Sequence, residues 1–201
     1  MLRNLHVKNL ALIDEAEVDF EKGLNILTGE TGAGKTTMVR LILALIQPTS
    51  GHVYIYNNER EQDISPLTRC NLIYVPQGNT LLSGTIRDNL RMGRFDATDE
   101  EMMQALDKAC AGFVRDIPGG LDASCSEAGG GLSEGQAQRI SIARALLREG
   151  SVMIFDEATS ALDPETERQL LANLLQERRQ TIIFITHRPA VVDYCDQVLR
   201  I

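Results

Sequence analysis

The chain has 201 residues, 28 of them acidic and 20 basic, and a formal net charge of −8. Its length predicts one domain with room for a subdomain, and its acidic balance argues against a broad nucleic-acid surface, which requires clustered Lys and Arg. No apolar run approaches the roughly 18 residues of a membrane helix, the N-terminus lacks the apolar core of a signal peptide, and the four cysteines form no C-x-x-C pair.

The first part of the chain is predicted to form short strands around a glycine-rich loop. Strands are expected within residues 2–28, because residues 17–20 alternate polar and apolar and residues 24–27 form a compact apolar run. A helix is predicted over residues 35–46, ending before Pro48. Further strands are expected over residues 53–56 and 72–75.

The rest of the chain is predicted to be helical first and then to alternate strand and helix. Residues 85–147 have helical character, including a helix over 99–111 with apolar residues at helical spacing. Residues 152–155 and 181–185 are continuous apolar runs, typical of parallel strands buried on both faces. A helix over 165–177 separates them, and such strand–helix–strand units predict a parallel α/β sheet.

The strongest motif is G-E-T-G-A-G-K-T at residues 29–36, which fits G-x-x-x-x-G-K-[ST] and lies between a predicted strand and a predicted helix. Its glycines allow successive backbone N–H groups to form an anion site at the helix N-terminus. Lys35 is then expected to contact the β- and γ-phosphates of a nucleotide, and the Thr36 hydroxyl to bind Mg²⁺. The alternative is a glycine-rich turn followed by a chance lysine. The loop residues are Gly29, Glu30, Thr31, Gly32, Ala33 and Gly34.

Two carboxylates, Asp156 and Glu157, follow the apolar run at 152–155. Open α/β sheets bind ligands at the carboxyl ends of their strands. Asp156 is suited to the magnesium shell and Glu157 to polarising the water that attacks the γ-phosphate. The alternative is a strand end with two solvent-exposed acids, which the phosphate-loop motif upstream makes less favourable.

The segment L-S-E-G-Q at residues 132–136 is compatible with two interpretations. Ser133 and Gln136 have capping-box spacing at the start of a predicted helix. A helix N-terminus with a hydroxyl, a glycine backbone and an amide is also a phosphate-binding device. Physical reasoning alone does not choose between a capped structural helix and a second phosphate site.

The order of the motifs resembles that of one known family. The motifs follow one another as in the nucleotide-binding domain of the ATP-binding cassette (ABC) superfamily. They are the phosphate loop, Gln77 in Tyr-Val-Pro-Gln, the L-S-E-G-Q segment, the Asp-Glu pair, Asp163 in Ser-Ala-Leu-Asp and His187 after the last long apolar run. The resemblance covers essentially the whole chain. It implies an α/β P-loop NTPase fold: a RecA-like parallel sheet core with an N-terminal antiparallel sheet and a helical subdomain.

The resemblance also implies roles for individual residues. The catalytic residues are expected to be Glu157, the switch histidine His187 and the loop glutamine Gln77. Thr36, Gln77 and Asp156 are the expected magnesium ligands. ATP is expected to contact residues 29–36, Thr37 and, from the opposite subunit of a head-to-tail homodimer, Ser133, Gly135 and Gln136. Asp163 belongs to the loop that crosses the dimer interface.

Two branches of the superfamily compete. From Thr37 onward the chain resembles exporter-type transporters, as in G-N-T-L-L-S-G-T-I-R-D-N-L at residues 78–90 and in Glu127, Gly129 and Gly131 before the signature segment. Residues 1–36 instead resemble the RecN family of SMC-like DNA-repair ATPases. Lys35 and Ser133 are 98 positions apart, which leaves no room for that family's coiled coil. A chimera is therefore expected, engineered rather than natural, because the chain also stops early, at residues 198–201.

The resemblance completes the set of expectations. Residues 1–78 and 151–201 should form the nucleotide-binding core and 79–150 the helical subdomain of one ABC-type ATPase domain. The partners should be a second copy and the transmembrane domains of a transporter, at the cytoplasmic face of the membrane, with no nucleic acid. No Tyr, Phe or Trp precedes Phe20, so weak base selectivity is expected. A fragment without membrane segments is expected to dimerise weakly and therefore to turn over slowly. A catalytically silent scaffold and a DNA-repair ATPase head are the alternatives.

Overall fold

The computed structural model describes residues 4–10, 13–19, 24–28, 35–48, 53–57, 60–78, 80–125, 131–176, 180–192 and 194–200. These residues divide into two compact units. The first comprises residues 1–74, 150–156 and 177–201, and the second comprises residues 75–149 and 157–176.

The strands are β1 (Asn4–Leu10), β2 (Ile13–Asp19), β3 (Leu24–Thr28), β4 (Tyr54–Asn57), β5 (Arg60–Asp63), β6 (Leu72–Val75), β7 (Gly84–Thr85), β8 (Ser124–Cys125), β9 (Val152–Asp156), β10 (Thr181–Ile185) and β11 (Gln197–Arg200). The α-helices are α1 (Lys35–Ile42), α2 (Ile86–Arg91), α3 (Asp99–Lys108), α4 (Glu134–Leu146), α5 (Pro164–Leu175) and α6 (Pro189–Val192). Short 3-10 helices lie at Pro66–Asn71, Gly112–Arg115 and Gly120–Asp122.

The first unit is built on a sheet with the strand order β11-β3-β10-β9-β6. Strand β10 pairs in parallel with β3 on one side and with β9 on the other. All residues of β9 and β10 are buried, which explains their continuous apolar sequences. The predicted parallel α/β core is confirmed, and β11, which the apolar pattern did not indicate, forms its edge beside β3.

Antiparallel pairs accompany this sheet, as expected for the N-terminal part. Strands β1 and β2 pair from Asn4 opposite Asp19 to Leu10 opposite Ile13. Strands β4 and β5 form a second antiparallel pair, of which the sequence predicted only the first strand. In the core, the rings of Phe155 and Phe184 stack with centroids 4.4 Å apart.

Helix α1 ends at Ile42 rather than at residue 46, where the sequence pattern placed its end. Ala44 has a left-handed backbone with φ 51°. The carbonyl oxygens of Leu43 and Ala44 accept hydrogen bonds from Nε and Nη2 of Arg69, at 2.7 and 2.6 Å. A side chain 25 residues away therefore satisfies carbonyls that a longer helix would have used.

The second unit contains α2, α3, α4 and α5. Capping boxes begin the first three of these helices, at Thr85, Thr98 and Ser133, and Asp163 caps the fourth. Helix α3 ends at Lys108, three residues before the predicted end, and Cys110 follows with φ 57°.

The expected subdomain boundaries differ from the observed units by more than one residue at two places: residues 75–78, expected in the nucleotide-binding core, belong to the second unit, and so does α5. Residues 79–150 were assigned to the helical part, but residues 157–176, which contain α5, belong to the second unit as well. The physical reason is that α5 packs against α3. The Asn173 side chain also donates a hydrogen bond to the Lys108 carbonyl oxygen, at 3.0 Å.

Candidate functional site

The phosphate-loop residues Gly29, Glu30, Thr31, Gly32, Ala33 and Gly34 lie outside the described residues, and α1 begins directly after them. Lys35 is the first residue of this helix and is only 6% exposed, whereas Thr36 is exposed and Thr37 is half-buried. A helix N-terminus carries partial positive charge and unpaired N–H groups. The start of α1 therefore combines a lysine, a hydroxyl and a helix dipole suited to an anion.

The carboxyl edge of the first unit's sheet holds the other predicted residues of that unit. Asp156 ends β9 level with Ile185 of β10, and Ile185 is level with Leu27 of β3. Thr186 and the exposed His187 follow β10 immediately. The register therefore places Asp156 and His187 at the edge from which the segment containing Lys35 departs, and ligands of open α/β sheets bind at this edge.

The Asp156 carboxylate is nearly buried, at 8% exposure, and accepts a hydrogen bond from the Tyr74 hydroxyl at 2.9 Å on its Oδ2 atom. Burial raises the pKa of Tyr74 to about 12, with the negative charge of Asp156 and this hydrogen bond as further causes. The phenol is therefore a neutral donor at physiological pH. Sequence reasoning missed Tyr74, although it immediately precedes Val75-Pro76-Gln77.

The donor set of the first unit fits magnesium. A carboxylate at Asp156 and a hydroxyl at Thr36 are the hard oxygen ligands that Mg²⁺ takes, usually one or two from protein with waters and phosphates completing the octahedron. Within the described parts of the chain, no group of three or more His, Cys, Asp and Glu could hold a metal by itself.

In the second unit, Gln77 and Glu157 contact each other directly. The Gln77 Nε2 atom donates a hydrogen bond to Glu157 Oε2 at 3.0 Å. Glu157 has a left-handed backbone with φ 49°, a conformation that costs an L-residue about 1–2 kcal/mol. Such strain is concentrated at functional positions, and Glu157 is the carboxylate that the sequence analysis predicts to be catalytic.

The signature segment has the geometry of a capped helix. The Ser133 Oγ atom accepts a hydrogen bond from the Gln136 N–H at 3.2 Å, and the Gln136 side chain accepts one from the Ser133 N–H at 2.9 Å. Glu134 in the first turn stabilises the helix dipole but brings negative charge to a terminus that would otherwise attract phosphate. Of the exporter-like residues before this segment, Glu127 and Gly129 lie outside the described residues, and Gly131 is exposed.

Helix α4 is held closely to the loop that follows Glu157. A Cβ atom at Gly135 would lie 2.8 Å from the Ala161 carbonyl oxygen, so only glycine fits there without displacing backbone. The Ala161 N–H donates a hydrogen bond to the buried Gln138 Oε1 at 3.2 Å. The family resemblance predicts that Gly135 contacts the nucleotide. The structure adds that close packing against Ala161 also requires glycine at this position.

The same loop is fastened at both of its ends. The Thr159 hydroxyl donates a hydrogen bond to the buried Glu167 at 2.6 Å. Asp163 caps α5 by accepting hydrogen bonds from the N–H groups of Glu165 and Thr166, at 3.1 and 3.0 Å. Hydrogen bonds from Thr166, first from its hydroxyl and then from its backbone, lower the pKa of the Asp163 carboxyl.

Similarity to known proteins agrees with this arrangement. The family model described as ABC transporter matches residues 13–160. The uncharacterized ABC transporter ATP-binding protein y4gM of Sinorhizobium fredii is 40% identical over 193 residues, which cover 94% of this chain and 33% of that protein. The mitochondrial iron-sulfur clusters transporter ATM1 of Saccharomyces cerevisiae is 36% identical over 178 residues, covering 86% of this chain and 26% of that protein.

A solved structure extends the similarity to the fold. The structure of a bacterial Atm1-family ABC exporter with ATP bound matches with a TM-score of 0.87 and 28% identity, covering 100% of this chain and 38% of that one. The chain therefore spans about a third of the length of these relatives. Within its described parts, none of the helices has the length and apolar character needed to cross a bilayer.

None of these matches supports the resemblance of residues 1–36 to the RecN family, nor a chimera. The family match begins at residue 13, before the phosphate loop. The y4gM alignment covers 94% of the chain and therefore includes most of the N-terminal segment. With a family match over well more than half of its length and the fold of an ABC exporter, the chain belongs to the ABC transporter family and is an ATP-binding domain of the exporter type.

Proposed function

We propose that this chain binds ATP with Mg²⁺ and hydrolyses it to drive a membrane exporter. The observation that carries the proposal is that Asp156 and His187 lie at the same edge of the first unit's sheet. Asp156 ends β9, His187 follows the neighbouring parallel strand β10, and α1, the helix that comes after β3 along the chain, begins with the buried Lys35. Membership of the ABC transporter family supports the same chemistry.

Each candidate site residue of the first unit has a role in binding ATP. Lys35 neutralises charge on the β- and γ-phosphates, and its burial strengthens this interaction because little water screens it. Thr36 and Asp156 would hold Mg²⁺, which would neutralise charge that develops on the phosphates. His187 is exposed at the same edge, where an imidazole can donate to the γ-phosphate.

Glu157 and Gln77 act on the attacking water in this proposal. Glu157 is a general base or a water-orienting carboxylate, since phosphoryl transfer depends mostly on positioning and charge stabilisation. The hydrogen bond from Gln77 holds its Oε2 atom. An amide donates through its nitrogen and accepts through its oxygen, so Gln77 Oε1 would be the atom offered to Mg²⁺.

Assembly follows from the signature segment and from the relatives. Ser133, Gly135 and Gln136 would contact the ATP held by a second copy in a head-to-tail dimer. The similar exporter of the Atm1 family was solved with ATP bound, which supports ATP binding here. Transmembrane domains would complete the transporter, with this domain at the cytoplasmic face.

The expected chimera and one of the alternatives, a DNA-repair ATPase head, have no observation in their favour. The acidic net charge of −8 and a family match that starts at residue 13 give no support to a DNA-repair ATPase head or to an engineered chimera. Slow turnover and weak discrimination between ATP and GTP stay as predictions. Discrimination between ATP and GTP depends on the residues before the phosphate loop. His6 is one of them, and its side chain lies outside the described part of the structure.

Calorimetric titration with Mg-ATP tests binding, and release of inorganic phosphate tests hydrolysis. Lys35→Met should weaken ATP binding about ten-fold or more, because a charge-assisted hydrogen bond contributes about 1.5–3 kcal/mol. Arg168→Ala, which removes a half-exposed cation from α5, is the matched control and should bind normally. Glu157→Gln should bind ATP, accumulate as a dimer and release no phosphate.

The result that refutes ATP binding is the absence of heat with folded wild-type chain at millimolar Mg-ATP. Binding with no phosphate release would support the catalytically silent alternative instead. A Glu157→Gln variant that hydrolyses at the wild-type rate would remove Glu157 from the mechanism.

A further inference from the structure

Tyr74 forms a polar contact of the site that neither the motifs nor the proposed mechanism uses. It lies on β6, the edge strand beside β9, and its hydroxyl donates to Asp156 Oδ2 across 82 positions of sequence. Its ring is partly buried and packs against the apolar cluster under α1. The contact therefore comes from a side chain that packing holds in place.

This contact has a direct consequence for the carboxylate. A buried carboxylate is costly unless hydrogen-bonded, and Asp156 is only 8% exposed. A donor on one oxygen atom restricts rotation of the carboxylate about its last bond and leaves lone pairs for a metal ion. Neutral donors of this kind orient the ligands of metal sites, and their removal typically costs 10–100-fold in metal affinity or activity.

We propose that Tyr74 is a positioning residue for Asp156, whose hydroxyl orients that carboxylate toward the magnesium ion that accompanies ATP. The inference rests on the proposed function, because it assumes that Asp156 binds the metal. It assigns Tyr74 no contact with ATP and no proton transfer.

A purely structural tyrosine would behave differently from a positioning one. If the hydroxyl only stabilised the fold, its removal would lower stability and weaken nucleotide binding equally with and without metal. If it positions Asp156, its removal weakens only the part of ATP binding that depends on the metal. The ratio of ATP affinity with a divalent cation to ATP affinity without one distinguishes the two cases.

The test uses Tyr74→Phe, which deletes one oxygen atom and keeps the packed ring. ATP affinity is measured by calorimetry in excess MnCl₂ and in EDTA, and the paramagnetic resonance spectrum of Mn²⁺ reports the bound metal directly. The ratio of the two affinities should fall about ten-fold in Tyr74→Phe, with the EDTA affinity unchanged. Tyr194→Phe, at a site 38% exposed, is the control and should keep the wild-type ratio.

Three results would overturn the inference. If the ratio of ATP affinity in MnCl₂ to ATP affinity in EDTA stays within two-fold of wild type in Tyr74→Phe, the inference is wrong and the proposed function stands. Equal losses in MnCl₂ and EDTA, with a lower melting temperature, assign Tyr74 to the fold alone. A wild-type chain whose ATP affinity does not respond to Mn²⁺ refutes the metal role of Asp156, and the inference fails with it.

Discussion

Gly135 tests whether the signature helix and the loop after Glu157 are packed as closely as the structure indicates. The residue lies in the first turn of α4 with an ordinary helical backbone, so alanine should favour the helix by about 1 kcal/mol. A Cβ atom there would, however, lie 2.8 Å from the Ala161 carbonyl oxygen. Local propensity and tertiary packing therefore predict opposite signs for Gly135→Ala.

Packing should win, because the close atom belongs to the backbone. The Ala161 N–H is already held by Gln138 at 3.2 Å, so the loop cannot move away without loss of that hydrogen bond. Overpacking of this kind costs about 1–3 kcal/mol, which leaves a net destabilisation of about 0–2 kcal/mol after the gain in propensity. For a chain of this size, 1 kcal/mol shifts the melting temperature by about 2–4 °C.

Thermal unfolding of Gly135→Ala beside Gly112→Ala measures the effect. A Cβ atom at Gly112 would have its nearest neighbours at 3.5 and 3.6 Å, both side-chain atoms, so this control should be neutral or stabilising. ATP-dependent dimerisation, followed by light scattering, should also weaken in Gly135→Ala. A melting temperature raised by several degrees, with dimerisation intact, would refute the close packing.

Three further predictions concern the second unit. Thr159→Val should destabilise the chain by about 1–3 kcal/mol, because it removes a hydrogen-bond partner of the buried Glu167. Urea unfolding measures the free energy of unfolding, and Thr159→Ser is the control and should be nearly neutral. Equal stability of the two variants would contradict the reasoning. Asp163→Ala should have a lower melting temperature than wild type above about pH 4, and the two melting temperatures should converge at lower pH. The reason is that a carboxyl whose pKa is lowered in the folded state stabilises the fold above its ordinary pKa of about 3.9, and this stabilisation is lost as the pH falls through the pKa of the folded state. A difference in melting temperature that persists at pH 2 would count against the capping role. Glu134→Gln should strengthen ATP-dependent dimerisation and weaken α4 by about 0.3–1 kcal/mol, since it removes negative charge from the helix N-terminus; weaker dimerisation on light scattering would show that Glu134 does not oppose the nucleotide.

Local patterns predicted the longer helices and the buried strands, but they missed β5 and β11 and did not show where each element ends. The apolar run of α1 predicted a helix to residue 46, yet the helix ends at Ile42, where Arg69 binds the carbonyl oxygens that follow. The run at 152–155 predicted β9 nearly to the residue. Continuous burial produces an unambiguous pattern, whereas a helix end depends on partners that are distant in sequence.

The candidate site shows the same division. Lys35, Asp156 and Glu157 were predicted because each lies in a short motif whose chemistry is local, whereas the role of the signature segment was predicted only from the family resemblance. Tyr74 was missed because its role depends on a contact with a strand 82 positions away.

The sequence by itself determined the parallel α/β class, the order of the motifs and the chemical types of the site residues, because periodicity and short motifs express preferences that act within a few residues. Tertiary structure alone decided the strand order β11-β3-β10-β9-β6, the register that aligns Asp156 with Leu27 through Ile185, and the pairing of Gln77 with Glu157. These features join residues far apart along the chain, so they depend on the packing of a complete core, which no local pattern encodes.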